Sequence, residues 1–192
     1  QKDADLIKQK SSPMRFLFVG RFAYNKGIGD LLEAAKQLND EGHAAAFELH
    51  LAGKGPLFDE MKARYPLKNV QFQGFVSDED LDLAYLQDHV FVLPTLFEGM
   101  PTVVLEAMAR AMPILVTDTG ATLELVDDQN GLILAKNDVQ GLKNAMLRMI
   151  SADDTTFAAL SNASLIRVRE RFTWEAVAAA HLRLFREMGH SL

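Results

Sequence analysis

The segment VFVLPTLFEGMPTVVLEAMARA, residues 90–111, places a strand pattern, a loop and a helix pattern in direct succession. Its first four residues are apolar without interruption, as in a strand that is buried on both faces. From residue 101 onward the apolar residues recur at intervals of three and four, which is the spacing of a helix. Pro101 favours a helix start at this point, because a proline in the first turn loses no intrahelical hydrogen bond. The segment therefore predicts a strand joined through a glycine-containing loop to a helix.

The same alternation of strand and helix patterns runs through most of the chain. The predicted strands are residues 15–19, 47–52, 70–72, 90–93, 113–117 and 131–134. Segments with helical spacing separate them, and such an alternation requires right-handed crossovers onto a mostly parallel sheet. The predicted fold class is α/β, with a doubly wound, Rossmann-like sheet of about six strands and helices on both faces.

Two further helices are predicted near the carboxyl end. Asp138 and Thr173 are the expected N-cap residues, because their side chains can accept hydrogen bonds from the first turn. The last helix carries an apolar ridge that another surface would have to cover. Its members are Trp174, Val177, Leu184, Phe185 and Met188.

Composition narrows the class of protein. The 192 residues are 48% hydrophobic, which suffices for one domain with a buried core. A net charge of −6 argues against a nucleic-acid partner or an anionic membrane surface. The absence of cysteine excludes disulfides and thiolate metal sites. We expect a cytoplasmic protein, with peripheral attachment at the inner face of the membrane, through a further domain, as an open alternative.

The chain divides into two unequal parts. Residues 1–13 are polar and end in Ser-Ser-Pro, which predicts a linker or a frayed segment. Residues 14–192 contain all the predicted strands and helices and form the expected ligand-binding domain.

In a doubly wound sheet, ligands bind beside the carboxyl ends of the strands. The helix that starts near residue 101 follows such an end, and the positive end of its dipole can hold a phosphate group. The residues that we assign to this anion cradle are Gly99, Met100, Pro101 and Thr102.

Two glutamates flank the cradle, Glu98 in the loop and Glu106 in the helix. Two carboxylates beside an anion are useful if each accepts hydrogen bonds from hydroxyl groups elsewhere on the ligand. Sugar and ribose rings offer such hydroxyls, so the predicted ligand is a sugar nucleotide.

A diphosphate between two carboxylates also requires cations. Arg21 and Lys26 follow the first strand, where a guanidinium and an ammonium can bind phosphate oxygens. The loop VGRFAYNKG, residues 19–27, is neither a P-loop nor a G-x-G-x-x-G dinucleotide motif. ATPase and dehydrogenase functions are therefore disfavoured.

Other strand ends supply weaker candidates. Their glycines permit close approach of a ligand to the backbone, and their apolar side chains can face a flat base. These residues are Gly20 after the first strand, Gly53 and Gly55 after the second, and Phe75 and Val76 after the third. His50 and His89, within or next to strands, are interpreted as structural residues.

Taken together, these motifs resemble the carboxyl-terminal, donor-binding domain of a GT-B glycosyltransferase, in particular glycosyltransferase family 4. The resemblance covers residues 16–188. The motifs that carry it are VGRFAYNKG, LAGKGP, FQGFVSDEDL, FEGMPTVVLE with its two glutamates eight positions apart, EAMARAMPILVTDTG, NGLIL and RFTWEAVAAAHLRLFREM.

The resemblance implies a role for each charged residue. Arg21 and Lys26 would bind the donor diphosphate, Glu98 the hydroxyls of the transferred sugar, and Glu106 the ribose. Family members are retaining enzymes that need neither a metal nor another cofactor. In them, cationic side chains and a helix terminus stabilise the leaving diphosphate.

The resemblance also implies backbone contacts. The amides of Gly99 and Met100 would meet the distal phosphate, and the base would lie beside residues 74–76. This chain departs from the family pattern at Ala111 and Ala121, where glycine is usual. The second departure puts a local contact with the sugar in doubt.

Family members carry an amino-terminal domain, of about 150 residues or more by ordinary domain size, that binds the acceptor. We therefore expect a fragment that binds a nucleotide-diphosphate sugar but, without that partner domain, transfers little. The acceptor and the base are not predicted. Two alternatives stay open, a sugar-nucleotide epimerase of similar architecture and a non-catalytic α/β phosphate-binding or interaction domain.

Overall fold

A computed structural model describes residues 5–189 as one parallel sheet between two layers of helices. The strands are β1 Met14–Val19, β2 Phe47–Ala52, β3 Val70–Gly74, β4 Val90–Leu93, β5 Ile114–Thr117 and β6 Gly131–Leu134. The helices are α1 Ile28–Asp40, α2 Phe58–Arg64, α3 Asp78–Gln87, α4 Thr102–Ala109, α5 Thr122–Leu125, α6 Val139–Ser151, α7 Asp154–Arg171 and α8 Trp174–Gly189, with a 3-10 turn at Tyr24–Lys26. The predicted α/β class and all six predicted strands are confirmed.

The strand order is β3-β2-β1-β4-β5-β6, and every pair is parallel. The chain builds outward from β1 to β3 and then returns through α3 to β4 on the other side of β1. With right-handed crossovers, α1 and α2 lie on one face of the sheet and α3, α4 and α5 on the other. Helix α6 packs on α1 and α7 packs on α4, which completes the two layers.

The core lies on both faces of the sheet. Strands β4 and β5 are buried at every residue, as expected of central strands covered on both sides. Helix α6 begins at the predicted N-cap, where the Asp138 carboxylate accepts a hydrogen bond from the Gly141 amide at 2.8 Å. Its buried face includes Met146 and Met149, so this helix has a packing role, as predicted.

The strand order reverses between β1 and β4, and the sheet opens there. Strand β1 pairs with β2 over its full length, but with β4 only at Phe16–Val90 and Leu17–Phe91. The carboxyl halves of β1 and β4 are therefore not joined by the ladder. Such a switch point forms the crevice in which doubly wound domains bind ligands.

The amino-terminal segment, residues 5–13, packs against the second helical layer. The Lys8 amide donates to Ser161 Oγ at 2.7 Å, and Lys8 Nζ donates to the carbonyls of Tyr85 and Leu86 at 2.7 and 2.6 Å. The carbonyls lie at the end of α3, where a cation complements the helix dipole. These contacts hold the segment against α3 and α7, and residues 1–4 of the predicted linker or frayed segment lie outside the described residues. Its role as a linker stays a prediction.

Candidate functional site

The loops that follow β1 and β4 meet at the switch point and are bonded to each other. The Asn25 carbonyl accepts hydrogen bonds from the Leu96 amide at 2.8 Å and from Thr95 Oγ1 at 2.9 Å. Gly27 has a φ of 66°, and a Cβ there would lie 1.9 Å from the Pro94 carbonyl oxygen. Only glycine fits this contact, so the loop that carries Lys26 is held firmly against the end of β4.

Lys26 and Glu98, predicted from different strand ends, form an ion pair through Lys26 Nζ and Glu98 Oε1. The two side chains are 23% and 15% exposed, so the pair is largely shielded from solvent. The hydroxyl of Thr95, a buried residue, lies 3.4 Å from the same carboxylate oxygen. The structure thus brings together the cation and the carboxylate that the sequence predicts for one site.

Helix α4 begins one residue later than predicted, at Thr102. Pro101 occupies the N-cap with φ −74° and ψ 107°, which is extended backbone rather than helix. Within residues 5–189, the amides of Gly99, Met100 and Thr102 have no hydrogen-bond acceptor. Gly99 and Met100 are exposed. Free amides therefore surround the positive end of α4, as an anion site requires.

Ala121, one of the two departures from the family pattern, contacts this loop. Its amide donates to the Gly99 carbonyl at 2.9 Å, and its φ of −90° is one that any residue adopts. No left-handed conformation is needed there, so alanine is accommodated without strain.

A cleft of about 340 Å³ lies beside the carboxyl ends of β1, β2 and β3. Its lining includes five residues predicted from the sequence. They are Gly20, Arg21, Gly53, Phe75 and Val76, together with Val19, Ala52, Lys54, Asp78 and Leu81. Arg21 is exposed, and within the described residues its side chain has no hydrogen-bond or ion-pair partner. The Phe75 ring is 85% exposed, unlike a core aromatic residue.

Gly53 and Gly55 also have a packing reason. Gly53 has a φ of 128°, and a Cβ there would lie 2.0 Å from the Gly20 carbonyl oxygen. A Cβ on Gly55 would lie 2.4 Å from the Phe22 carbonyl oxygen. Close packing of the loops after β1 and β2 thus accounts for both glycines, and of the two only Gly53 lines the cleft.

Glu106 lies in a second, larger cavity of about 610 Å³. The Tyr85 hydroxyl donates to Glu106 Oε2 at 3.0 Å across the gap between α3 and α4. The lining is Asp78, Leu81, Asp82, Tyr85, Leu105, Glu106, Ala109, Arg110, Val168, Phe172 and Thr173. Because Asp78 and Leu81 line both cavities, the two adjoin at the start of α3.

The structure places the four predicted charged residues in three neighbouring positions. Arg21 lines the smaller cavity, Glu106 lines the larger one, and the Lys26–Glu98 pair lies at the switch point.

Within residues 5–189 no group of three or more His, Asp or Glu side chains could hold a metal ion. None of the described helices combines the length and apolar content needed to cross a bilayer.

Sequence reasoning missed Thr95, Lys54 and Tyr85. Thr95 is a polar residue that follows a fully apolar strand, and its position after that strand could have pointed to the site. Lys54 lies between Gly53 and Gly55, two residues assigned to the site, and its position after the second strand could have indicated a third cation. Tyr85 gave no signal, because its spacing on α3 is that of an ordinary core residue.

The chain belongs to the family described as Glycosyl transferases group 1, whose pattern matches residues 13–152. It is 27% identical over 183 residues to a glycogen synthase from Mycobacterium tuberculosis, a match that covers 93% of this chain and 44% of that protein. It is 33% identical over 132 residues to a putative teichuronic acid biosynthesis glycosyltransferase, TuaC, from Bacillus subtilis, a match that covers 69% and 32%. The chain thus spans less than half the length of these relatives.

Solved structures agree with this assignment. Sucrose-phosphate synthase from Thermosynechococcus elongatus superposes with a TM-score of 0.76 at 27% identity, over 94% of this chain and 46% of that one. The C-terminal domain of a glycosyl transferase group 1 family protein, LpcC, from Francisella tularensis gives 0.72 at 20% identity, over 84% and 87%. The second similarity concerns the fold alone. The resemblance to GT-B glycosyltransferases predicted from the motifs is confirmed.

Proposed function

We propose that this chain is the donor-binding domain of a retaining, metal-independent glycosyltransferase that takes a sugar from a nucleotide-diphosphate sugar. The observation that carries the proposal is the meeting of Lys26, Glu98 and the free amides at the start of α4, at the point where the strand order reverses. One end of the site binds anions and the other accepts hydrogen bonds from hydroxyls.

The diphosphate would lie between Arg21, Lys26 and the amides of Gly99 and Met100. As the glycosidic bond breaks, negative charge grows on the leaving diphosphate, and fixed cations and amides stabilise that charge. Lys26 already stands beside the site and has only to exchange its Glu98 partner for a phosphate oxygen. Arg21 has no partner to release among the described residues.

The sugar and the nucleoside would lie on opposite sides of this diphosphate. Glu98 would accept hydrogen bonds from hydroxyls of the transferred sugar, and Glu106 from the ribose. The base would rest beside the exposed Phe75 ring and Val76 in the smaller cleft. A flat apolar contact of this kind suits any base, so the choice of base is left to backbone groups.

Transfer would also need a second domain. The relatives named above are more than twice as long as this chain, and we propose that their additional length includes the acceptor-binding domain. Without that domain, this chain would bind nucleotide and transfer little, because both halves of the cleft are needed to orient the two substrates. A cytoplasmic location, where sugar nucleotides are available, is part of the proposal.

Calorimetric titration of the chain with UDP, GDP and ADP tests the donor site. At least one nucleotide should bind, and Arg21→Met should weaken that binding by about tenfold or more, the effect of one charge-assisted contact. Arg64→Met is the matched control, because Arg64 lies at the end of α2 and lines neither of the two cavities. A folded chain that binds none of the three nucleotides would refute the proposal.

A further inference from the structure

A hydrogen bond between Tyr85 of α3 and Glu106 of α4 joins the two helices that border the larger cavity. The Tyr85 hydroxyl donates to Glu106 Oε2 at 3.0 Å. Tyr85 is 3% exposed, and its ring packs on Phe91 of β4 at a centroid distance of 6.1 Å. A buried strand therefore holds the donor side of the bond in place.

The chemistry of the pair keeps the proton on the tyrosine. Burial raises the pKa of the Tyr85 hydroxyl well above its ordinary value, and the negative charge of Glu106 and the hydrogen bond to it act in the same direction. Tyr85 therefore keeps its proton and donates the hydrogen bond to Glu106 at neutral pH. Glu106, by contrast, is exposed and has no cation within ion-pair distance among residues 5–189.

An exposed glutamate on a helix would ordinarily move among several rotamers. The bond to Tyr85 occupies Oε2 and leaves Oε1 with no hydrogen bond among the described residues. Both side chains line the same cavity of about 610 Å³, which adjoins the smaller cleft at Asp78 and Leu81. One carboxylate oxygen is thus fixed by the protein, and the other is free to accept a hydrogen bond from a ligand.

We propose that Tyr85 is a positioning residue that makes the domain prefer ribonucleotides to deoxyribonucleotides. This inference rests on the proposed function, in which Glu106 accepts a hydrogen bond from the ribose. By holding Glu106 in one orientation, Tyr85 removes the entropy cost of ordering that side chain when the nucleotide binds. A ligand without the ribose hydroxyl gains nothing from this ordering, so the benefit is specific to the ribonucleotide.

The test is the ratio of affinities for a ribonucleoside diphosphate and its 2′-deoxy and 3′-deoxy counterparts, measured by calorimetry with UDP, GDP or ADP. The unsubstituted chain should favour the ribonucleotide over one of the deoxy forms by about tenfold or more, the value of one hydrogen bond to a charged group. Tyr85→Phe should reduce that ratio at least fivefold while leaving the affinity for the deoxynucleotide unchanged. A merely structural bond would not move this ratio.

The chain offers a matched control. The Tyr65 hydroxyl donates to Glu33 Oε2 at 3.1 Å, and Tyr65 is 5% exposed, but this pair joins the end of α2 to α1 on the other face of the sheet. Tyr65→Phe should cost similar stability and leave the ratio unchanged. Glu106→Asp leaves the core intact and withdraws the carboxylate from Tyr85, so it should lower the ratio even where Tyr85→Phe folds poorly.

The outcomes separate the inference from the proposed function. A wild-type ratio in Tyr85→Phe or in Glu106→Asp overturns the inference, while nucleotide binding itself still supports the donor site. A ratio near one in the unsubstituted chain overturns the ribose role of Glu106 and the inference with it. Failure of all three nucleotides to bind refutes the proposed function as well.

Discussion

The ion pair between Lys26 and Glu98 joins a residue proposed to bind phosphate to a residue proposed to bind the sugar. In the structure, the cation assigned to the diphosphate is bound by the carboxylate assigned to the sugar. A diphosphate must therefore compete with Glu98 for Lys26. The carboxylate also repels the incoming phosphates, because two negative charges a few ångströms apart interact strongly in a partly shielded site.

Replacing Glu98 and replacing Lys26 should thus have opposite effects on the affinity for a free nucleoside diphosphate. Glu98→Gln should tighten binding by about three- to tenfold, since it releases Lys26 and removes a negative charge. Lys26→Met should weaken binding by about ten- to a hundredfold, the loss of a charge-assisted contact. Calorimetric titration with UDP, GDP and ADP measures both.

The control is Lys36→Met, which removes the same charge from an exposed pair with Asp40 on α1. It should leave nucleotide affinity within about twofold, because exposed charges at a distance are screened. Weaker binding by Glu98→Gln would contradict the role given to the ion pair, and an unchanged affinity in Lys26→Met would remove Lys26 from the diphosphate site.

The position of these residues was predictable, and their pairing was not. Arg21, Lys26 and Glu98 follow strands, and the carboxyl ends of parallel strands share one edge of the sheet. Which cation contacts which carboxylate depends on loop geometry, here on Gly27 and its contact with Pro94. A single sequence carries no direct signal for such a contact between loops.

At the scale of elements, the end of α4 explains a departure from the family pattern. Ala111 has a φ of 56°, its amide donates to the Met108 carbonyl, and the Met112 amide donates to the Ala107 carbonyl. These are the bonds of a Schellman motif, in which glycine usually occupies the left-handed position. The left-handed conformation explains why glycine is usual at this position in the family. Alanine adopts the same conformation here, which costs about 1 kcal/mol of stability.

All six strands were predictable from their β-branched and aromatic residues, whereas the strand limits and the short helix α5 were not. Strand β1 starts one residue before its predicted limit and β3 ends two residues after it. Helix α5 spans only Thr122–Leu125, too short for a helical repeat to be recognised. The packing of α3 against the amino-terminal segment depends on contacts between residues far apart in the chain, so local patterns do not report it.

His89 links three elements at the opposite end of the sheet from the proposed site. Its Nδ1 accepts a hydrogen bond from the Arg15 amide of β1 at 2.9 Å, and its Nε2 lies 3.0 Å from Ser11 Oγ. Burial lowers the pKa of His89 to about 4, and the charge of Arg15 acts in the same direction. Lys8 and His50 also lower this pKa, whereas Asp88 raises it.

Stability should therefore depend on pH in a defined direction. The folded chain binds the proton on His89 less readily than the unfolded chain, whose histidine has a pKa of about 6.5. The contribution of neutral His89 is fully present above about pH 6.5 and is lost as the pH falls through about 4. The loss should be roughly 1 to 2 kcal/mol, less than the full shift would give, because solvent screens part of the effect.

The variant His89→Asn tests this dependence, since its side-chain oxygen can replace Nδ1 as the acceptor for the Arg15 amide without titrating. Urea unfolding between pH 4 and 7 should show a shallower loss of stability in the variant than in the unsubstituted chain. His43→Asn, which alters a histidine with no side-chain hydrogen bond among the described residues, is the control. Equal slopes in all three proteins would contradict the interpretation of His89 as a buried neutral acceptor.

At the scale of the whole molecule, two helical layers enclose the sheet, and α8 stands outside both. It packs mainly against α7. Of the side chains described in α8, all but Ala176 and Val177 are exposed. The apolar ridge predicted from the sequence is present, and its largest members, Trp174 and Phe185, are 87% and 66% exposed.

Ending the chain after Thr173 should therefore leave the fold intact. The expected change in the free energy of unfolding is less than about 1 kcal/mol, because exposed side chains contribute little to stability. The comparison needs circular dichroism, since the chain has a single tryptophan, Trp174, and the shortened chain has none. Binding of an apolar dye should fall in the shortened chain, because its exposed ridge is gone.

Substitutions in the buried face of α6 provide a reference for the loss of stability expected when a core helix is disturbed. Leu142→Ala and Met146→Ala alter buried residues of α6 and should each cost about 2 to 5 kcal/mol. A comparable loss on removing α8 would show that this helix belongs to the core of the domain. Retained stability together with retained nucleotide affinity would place α8 outside both the core and the donor site, so that its apolar ridge serves neither folding nor donor binding.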